Sequence, residues 1–337
     1  MKYVKVKEAV EAANHIVVLQ ADNPDGDSLG SALALEAIFS EMDKHVTMVC
    51  AVDIAAHLKY LSGWDRVQKD IPSNADATII VDTSTETLFE YYEANGQLNW
   101  LKTKPMIVID HHTETSGISY ASVTVNETAS ATSEVIYRIA SELGWPLPAD
   151  ACEMIAMSIM SDSLGLTTES ASPETFRIMG DLVEKGVSLA KLDQARRELM
   201  RKEPELIPYK GQLLERVEFD ASGRVATVVI PWKEIEKYSP LYNPSMLVID
   251  DMRMVVGVDV AIAYKVYSDG KITAKIRCNY GKAVGSDLAR AFGGGGHPYA
   301  AGFKLTDGKK KVDEVIAEVN KKALKLLEAL DEKNETL

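Results

Sequence analysis

No stretch of this 337-residue chain approaches the roughly 20 consecutive apolar residues that a membrane span requires. The opening run Met1-Lys2-Tyr3-Val4-Lys5-Val6-Lys7-Glu8 has no apolar core behind its charges, so no signal peptide is expected. Cysteine is scarce. Cys50, Cys152 and Cys278 lie far apart, form no pair of metal-ligand spacing, and fit structural thiols in a reducing cytoplasm. Basic charge is also short, with 37 Lys and Arg against 50 Asp and Glu, a net of −13. Long duplex nucleic acid is held through many Lys/Arg–phosphate contacts, so it is disfavoured as a partner. A short or mononucleotide-sized anion remains accessible, because a metal ion and one or two arginines neutralise it locally. No internal repeat or low-complexity tract is evident.

What is present is a globular composition, 46% hydrophobic and 26% charged, on a chain too long for one ordinary core. Apolar runs at 15–21, 45–51, 77–81 and 105–109 read as strands, and helical spacing follows the first two near 31–42 and 54–61. Runs that are apolar throughout indicate a parallel sheet covered on both faces. Helical spacing returns at 129–143. Asp150 is a plausible cap for a helix running through Met154 and Met160, and Ser172-Pro173 starts another. Beyond residue 213 the pattern changes to hairpins at 217–230 and 258–278, a short helix at 284–292 and a terminal helix at 310–331. The expected fold class is α/β: an N-terminal, mainly parallel sheet with helices on both faces, and a smaller C-terminal α/β domain with a mixed sheet. The expected boundaries are 1–185, a helical linker at 186–213, and 214–337.

The chemistry gathers where strands end. Pro105-Met106-Ile107-Val108-Ile109 stops on Asp110-His111-His112, the third strand stops on Asp82-Thr83-Ser84, and the first runs into Asp22-Asn23-Pro24-Asp25-Gly26-Asp27. In open α/β sheets, ligands bind outside the carboxyl ends of the strands. Asp25, Asp27, Asp82, His111 and Asp162 form a carboxylate-rich set with little imidazole, which suits Mn2+ or Mg2+ better than Zn2+. Asp25 and Asp27, one residue apart, can serve two neighbouring metals. Two ions about 3.5–4 Å apart can clamp the attacking and leaving oxygens of a phosphoryl displacement. In the second half, Gly294, Gly295, Gly296 and His297 follow a helix. Consecutive glycines let backbone N–H groups approach a phosphate; the alternative is a flexible linker, but the histidine, small residues and strand that follow at once argue for an ordered loop. Arg277, at a strand end, could add a bidentate phosphate clamp.

Taken in order, Asn23-Pro24-Asp25-Gly26-Asp27, Asp82-Thr83-Ser84, Asp110-His111-His112, Ser161-Asp162-Ser163 and Gly294 through Gly302 resemble the DHH phosphoesterase superfamily. The last motif resembles its DHH-associated C-terminal domain, in the branch with nanoRNase/pAp phosphatases, cyclic-di-AMP phosphodiesterases and RecJ exonucleases. The resemblance implies two Mn2+ ions, with Mg2+ as the alternative. One would be held by Asp25 and Asp82, the other by Asp27, Asp82, His111 and Asp162. It also implies that His112 contacts the scissile phosphate and Asp110 orients a histidine. Arg277 and Gly294–His297 would hold the substrate's terminal phosphate or nucleotide.

Two positions depart from that pattern. The family's first motif opens with a histidine ligand where this chain has Ala21. Asp22, a water or a weakly held ion would have to compensate. Asp162-Ser163-Leu164-Gly165 is one residue longer than the usual Asp-Thr-Gly. The expectation is a cytoplasmic Mn2+-dependent phosphodiesterase or phosphatase acting on short RNA, pAp, or linear or cyclic dinucleotides. It has no membrane partner and room for a homodimer. The alternatives are a pyrophosphatase, disfavoured by the Gly-rich loop, and a non-enzymatic nucleotide-binding protein, supported by Ala21.

Overall fold

The structure, a computed structural model, describes residues 2–22, 24–83, 85–112, 117–296, 298–306, 308 and 310–335. It divides into two compact units, Met1–Arg201 and Lys202–Leu337. The chain adopts the expected α/β class, with a parallel sheet in the first unit and a mixed sheet in the second.

The first unit runs α1 (Val4–Ala12), β1 (His15–Leu19), α2 (Gly26–Ser40), β2 (His45–Val49), β3 (Ala77–Val81), α3 (Glu90–Ala94), α4 (Gln97–Leu101), β4 (Met106–Asp110) and β5 (Val123–Asn126), then α5 (Thr132–Leu143), α6 (Ala149–Asp162), α7 (Pro173–Glu184) and α8 (Leu189–Leu199). The sheet order is β2-β1-β3-β4-β5, and every neighbouring pair is parallel. Every residue of β1, β3 and β4 is buried. On β1, Ile16 and Val18 pack with α2, α5 and α6. Val17 and Leu19 face the other way, into a layer with Tyr92, Leu98 and Leu101 of α3 and α4. Burial on both faces is why these strands read as unbroken apolar runs. The chain leaves β1 for β2 on one side and returns to β3 on the other. The order therefore reverses between β1 and β3, and in open α/β sheets such a reversal marks where ligands bind, at the carboxyl ends of the strands.

Some local expectations are corrected. The helix expected from residue 31 begins at Gly26, because Asp25 caps it, accepting from the N–H groups of Asp27 and Ser28. The stretch near 54–61 forms only a 3-10 turn at Ala56–Leu58. Asp150 lies inside the first turn of α6, with Pro148 at the cap position. Ser172 does cap α7, and Thr175 reciprocates. The edge strand β5 was not foreseen.

The second unit contains α9 (Leu206–Glu215), β6 (Glu218–Phe219), β7 (Val225–Pro231), α10 (Trp232–Tyr238), α11 (Pro244–Arg253), β8 (Val260–Val266), β9 (Ile272–Cys278), α12 (Gly285–Arg290), β10 (Gly295–Gly296), β11 (Ala300–Leu305) and α13 (Val312–Glu335). Its sheet order is β10-β11-β9-β8-β7-β6. Both expected hairpins, β6–β7 and β8–β9, are antiparallel, whereas β7 and β8 are parallel across the unforeseen helices α10 and α11. One face packs on α12 and α13, the other on α9, α10 and α11. Of the expected linker, α8 packs on the first unit's core through Leu189 and Leu192. In turn α9 buries Leu206, Tyr209 and Leu213 in the second. Among the described residues, no helix is long and apolar enough to cross a membrane, and all three cysteines are free and buried.

Candidate functional site

The site in the first unit starts with how closely α2 lies on α6. A Cβ on Gly26 would sit 2.2 Å from the Ser161 hydroxyl, and one on Gly30 would sit 3.0 Å from the Ser158 Cβ. Absent side chains therefore let the start of α2 meet the end of α6, which brings Asp25 and Asp27 toward Asp162. Asp25 is exposed and its Oδ1 caps the helix. Asp27 is 1% exposed and fully engaged. Its Oδ1 accepts from Ser31 Oγ at 3.2 Å, Ser133 N at 3.2 Å and the Ser158 hydroxyl, while its Oδ2 accepts from Thr132 N at 2.6 Å. The first N–H groups of α5 thus point at a carboxylate, which their orphan donors and the helix dipole both favour.

Asp82 follows β3 with φ +60°, a left-handed conformation that aspartate tolerates better than most residues. The Thr132 hydroxyl donates to its Oδ1 at 3.0 Å. At the end of β4, the fully buried Asp110 accepts at one oxygen from His111 N (2.9 Å), His112 N (3.3 Å) and His112 Nδ1 (2.7 Å). That bond raises the His112 pKa above the ordinary imidazole value and leaves Nε2 on the outer side of a half-exposed ring. His111 Nδ1 lies 3.2 Å from the Ala129 carbonyl, and its Nε2 faces Asp162 Oδ2 at 3.5 Å and Asp27 Oδ2 and Asp82 Oδ1 at 3.7 Å each. Asp27, His111 and Asp162 form one group of convergent ligand atoms, and Asp82, His111 and His112 another. Asp25 belongs to neither group among the described residues, although its charge acts on both Asp82 and Asp162.

The electrostatics call for a cation. Burial, reinforced by Asp27 and Asp25, holds the Asp82 carboxyl well above the carboxylate range. Burial and the charge of Asp27 push Asp162 up to about 6. Among the described residues, no lysine or arginine pairs with Asp25, Asp27, Asp82 or Asp162. Clustered carboxylates without a counter-charge are costly unless they bind a metal. Hard oxygen donors with one imidazole fit Mn2+ or Mg2+.

The two departures from the motif pattern have different fates. Leu164 is 72% exposed and sits in a turn with Gly165 and Leu166, all at positive φ, so the extra residue is absorbed beyond α6 and Asp162 remains its last residue. Ala21 is 5% exposed, and its carbonyl accepts from Cys50 Sγ. Asp22 joins neither candidate ligand group among the described residues. Burial and the nearby Glu90 raise its pKa, and its Oδ1 has no hydrogen-bond partner among the described residues. Gln20, fully buried on the other side of Ala21, likewise leaves both amide atoms without one.

In the second unit, Arg277 is half-buried near the end of β9, opposite Ala300 of β11, and burial lowers its pKa. No carboxylate forms a salt bridge with it among the described residues, although the charge of Asp250 acts on it. Gly295 and Gly296 form β10, paired with Gly302 and Ala301. A Cβ on Gly294 would sit 2.2 Å from the Gly302 carbonyl, and Gly296, at φ +131°, is equally closed to a side chain. A tight hairpin therefore accounts for both. Gly295 alone of the three has open space beside it. His297, Asn23 and Ser84, named from the sequence, lie outside the described residues. Thr132, Ser133, Ser158 and Ala129 were not singled out. The small hydroxyl-bearing run Ser130-Ala131-Thr132-Ser133 at a helix start was the signal for Thr132 and Ser133, and nothing marked Ser158 or Ala129.

Residues 15–159 match the DHH family, N-terminal domain, and residues 244–325 match the DHHA1 domain. The bifunctional oligoribonuclease and PAP phosphatase of Bacillus subtilis is 23% identical over 308 residues, spanning 90% of this chain and 93% of that protein. Among solved structures, an exopolyphosphatase-related protein from Bacteroides fragilis superposes with a TM-score of 0.84 at 21% identity, over 97% of both chains. RecJ of Thermus thermophilus in complex with Mn2+ gives 0.56 at 14% identity, over 96% of this chain and 54% of its own. At these identities the two structures speak for the fold.

Proposed function

Since the chain belongs to the DHH phosphoesterase family, carries a DHHA1 domain and is by that membership a hydrolase, we propose that it is a Mn2+-dependent phosphoesterase of short oligoribonucleotides or small nucleotides. Substrates in this reading are 5′-phosphorylated RNA dimers, pAp, and linear or cyclic dinucleotides. Catalysis belongs to the N-terminal unit, and substrate binding to Arg277 and the Gly294–His297 loop of the C-terminal one. The observation that carries the reading is the convergence of Asp27, Asp82 and Asp162 on His111 Nε2.

The Ala129 carbonyl can only accept a hydrogen bond, so Nδ1 of His111 is the nitrogen that donates to it, and Nε2 is the one turned toward the carboxylates and available as a metal ligand. Asp25, Asp27, Asp82, Asp162 and His111 would hold the divalent ions, two in number. Bound there, they would supply Lewis-acid polarisation of phosphoryl oxygens and a water nucleophile of lowered pKa. Asp110 fixes His112 so that its outer nitrogen can donate to a phosphoryl oxygen. Thr132 and Ser133 hold Asp82 and Asp27 in place before any substrate arrives.

The test is a panel of a 5′-labelled RNA dimer, pAp, cyclic-di-AMP and pyrophosphate, with and without Mn2+. The expected result is mononucleotide or AMP release that requires Mn2+ and disappears in Asp82→Asn. Metal binding without turnover of any phosphoester would instead support a nucleotide-binding protein weakened at Ala21.

A further inference from the structure

One face of the second unit's sheet packs on α12 and α13, through Ile262 and Tyr264 of β8, Ala274 and Ile276 of β9, and Phe303 of β11. Side chains alternate along a strand, so Lys265, Lys275, Arg277 and Lys304 stand on the opposite face. On that side, the core beneath α9, α10 and α11 draws on β7 and β8 alone among the strands. The cations of β9 and β11 therefore lie beyond its edge. Across the strands, Arg277 sits between Ala261 and Ala300, Lys275 between Ala263 and Gly302, and Thr273 between Lys265 and Lys304. Arg277 and Lys275 thus have neighbours with little or no side chain, and the row ends on a pair of lysines. Its rungs are about 6.6 Å apart along the strand.

These charges lack counter-charges. Among the described residues, no salt bridge involves any of the four. Lys275 Nζ reaches only the Met246 thioether, at 3.5 Å, and Arg277 Nη1 donates to the Ile276 carbonyl at 3.0 Å. The charge of Asp250 acts on Arg277, but that carboxylate is engaged by Arg253 at 2.9 Å. Lys265, Lys275 and Arg277 are half-buried. Burial lowers the pKa of Lys265, helped by the charge of Lys275, and burial lowers that of Lys275, helped by Arg277. On a chain of net charge −13, a half-buried row of like cations is costly unless an anion joins it.

We propose that Lys265, Lys275, Arg277 and Lys304 form a track along β9 that binds the phosphates of a short single-stranded oligonucleotide. The inference rests on the phosphoesterase reading and deepens it, since it favours substrates with several phosphates over those with one or two. Evenly spaced rungs suit a linear polyanion of fixed repeat, and lysines hold phosphate as point charges without reading the base. A compact anion such as pyrophosphate would meet one rung alone.

The experiment compares a 5′-phosphorylated RNA tetramer with the dimer in Mn2+, using wild type, Lys265→Gln, Lys275→Gln, Lys304→Gln and Lys275→Arg. The expected result is a tetramer KM about fivefold higher in each Gln variant with kcat within about twofold, and near wild-type behaviour in Lys275→Arg. The dimer's KM should stay within about twofold in Lys265→Gln and Lys304→Gln, whose lysines lie farthest from Arg277. For the tetramer, the slope of log affinity against log salt should become shallower by about 0.7 per lysine removed. A tetramer KM unchanged in all three Gln variants, or equal losses on both oligomers in Lys265→Gln and Lys304→Gln, overturns the track while leaving the phosphoesterase standing. If wild type hydrolyses neither oligomer, the phosphoesterase reading fails, and fluorescence anisotropy of a 3′-labelled tetramer decides the track. Binding weakened in the Gln variants upholds it, and identical binding throughout overturns it. A glutamate-rich peptide of equal charge that competes as well as unlabelled tetramer also overturns it, in favour of an acidic protein partner.

Discussion

His111 and Ala129 stand 3.2 Å apart, imidazole Nδ1 to backbone carbonyl. That contact decides which nitrogen faces the carboxylates, and it depends on residues that touch none of them. Ser130 N donates to Glu134 Oε2 at 3.1 Å, and Arg138, paired with Glu134, donates to the Thr128 carbonyl at 3.1 Å. The fully buried Glu134 thereby holds the loop that carries the Ala129 carbonyl.

Glu134→Gln should therefore weaken metal binding without touching a ligand. Outer partners of metal ligands are typically worth 10–100-fold in affinity, and about tenfold weaker Mn2+ binding is expected by titration calorimetry. Arg138 keeps Glu127 and Glu174 at 3.5 and 3.1 Å. Loss of stability should for that reason stay below the ~3–5 kcal/mol typical of breaking a buried ion pair. Unaltered Mn2+ affinity would show that the loop needs no such support.

Metal removal has a pH signature. In the chelated protein Asp162 sits at about 6 against an ordinary 3.8, because burial and Asp27 disfavour its charge. The unfolded chain ionises it near the ordinary value. The folded state is thus penalised increasingly as pH rises between those values, and fully above the upper one. In EDTA, Asp162→Asn should melt with wild type at pH 4 and about 3 °C above it at pH 7. Saturating Mn2+ should reverse the order, since only wild type gains the full binding energy on folding. A gap that stays constant from pH 4 to 7 would count against the raised carboxyl.

Thr132 bonds both Asp27, through its N–H, and Asp82, through its hydroxyl. Thr132→Val keeps the first bond and the side-chain volume but removes the second. The expected loss in kcat/KM is about tenfold, with a melting temperature within a few degrees of wild type, because a single hydroxyl bond contributes about 1 kcal/mol. Equal activity in Thr132→Val would mean that Asp82 is held by its backbone alone.

Much of the first unit was legible because burial on both faces wrote β1, β3 and β4 as uniform apolar runs that end in acids or acid-rich turns. The four-residue β5 carries too short a signal, and half of it lies exposed. The roles of Thr132 N and Ser133 N were invisible for a different reason, since a backbone donor leaves no residue type behind. In the second unit, Asn243 caps α11, its Oδ1 accepting from Ser245 N, yet neither α10 nor α11 was expected. Without α10 and α11 as a crossover, the parallel pairing of β7 with β8 could not be inferred. The glycine loop was ambiguous because a hairpin and a phosphate ask for the same absence of side chain.

That ambiguity can be separated experimentally. Gly294 and Gly296 are closed to a Cβ by the facing strand, whereas Gly295 is exposed with open space beside it. Gly294→Ala should cost roughly 1–3 kcal/mol through overpacking, seen as a lower denaturation midpoint. Gly295→Ala should leave the midpoint unchanged. If Gly295 is glycine because a substrate phosphate approaches its N–H closely, the same Gly295→Ala protein should show a KM raised several-fold at constant stability. An unchanged KM would assign the whole run to the hairpin and leave phosphate binding to Arg277.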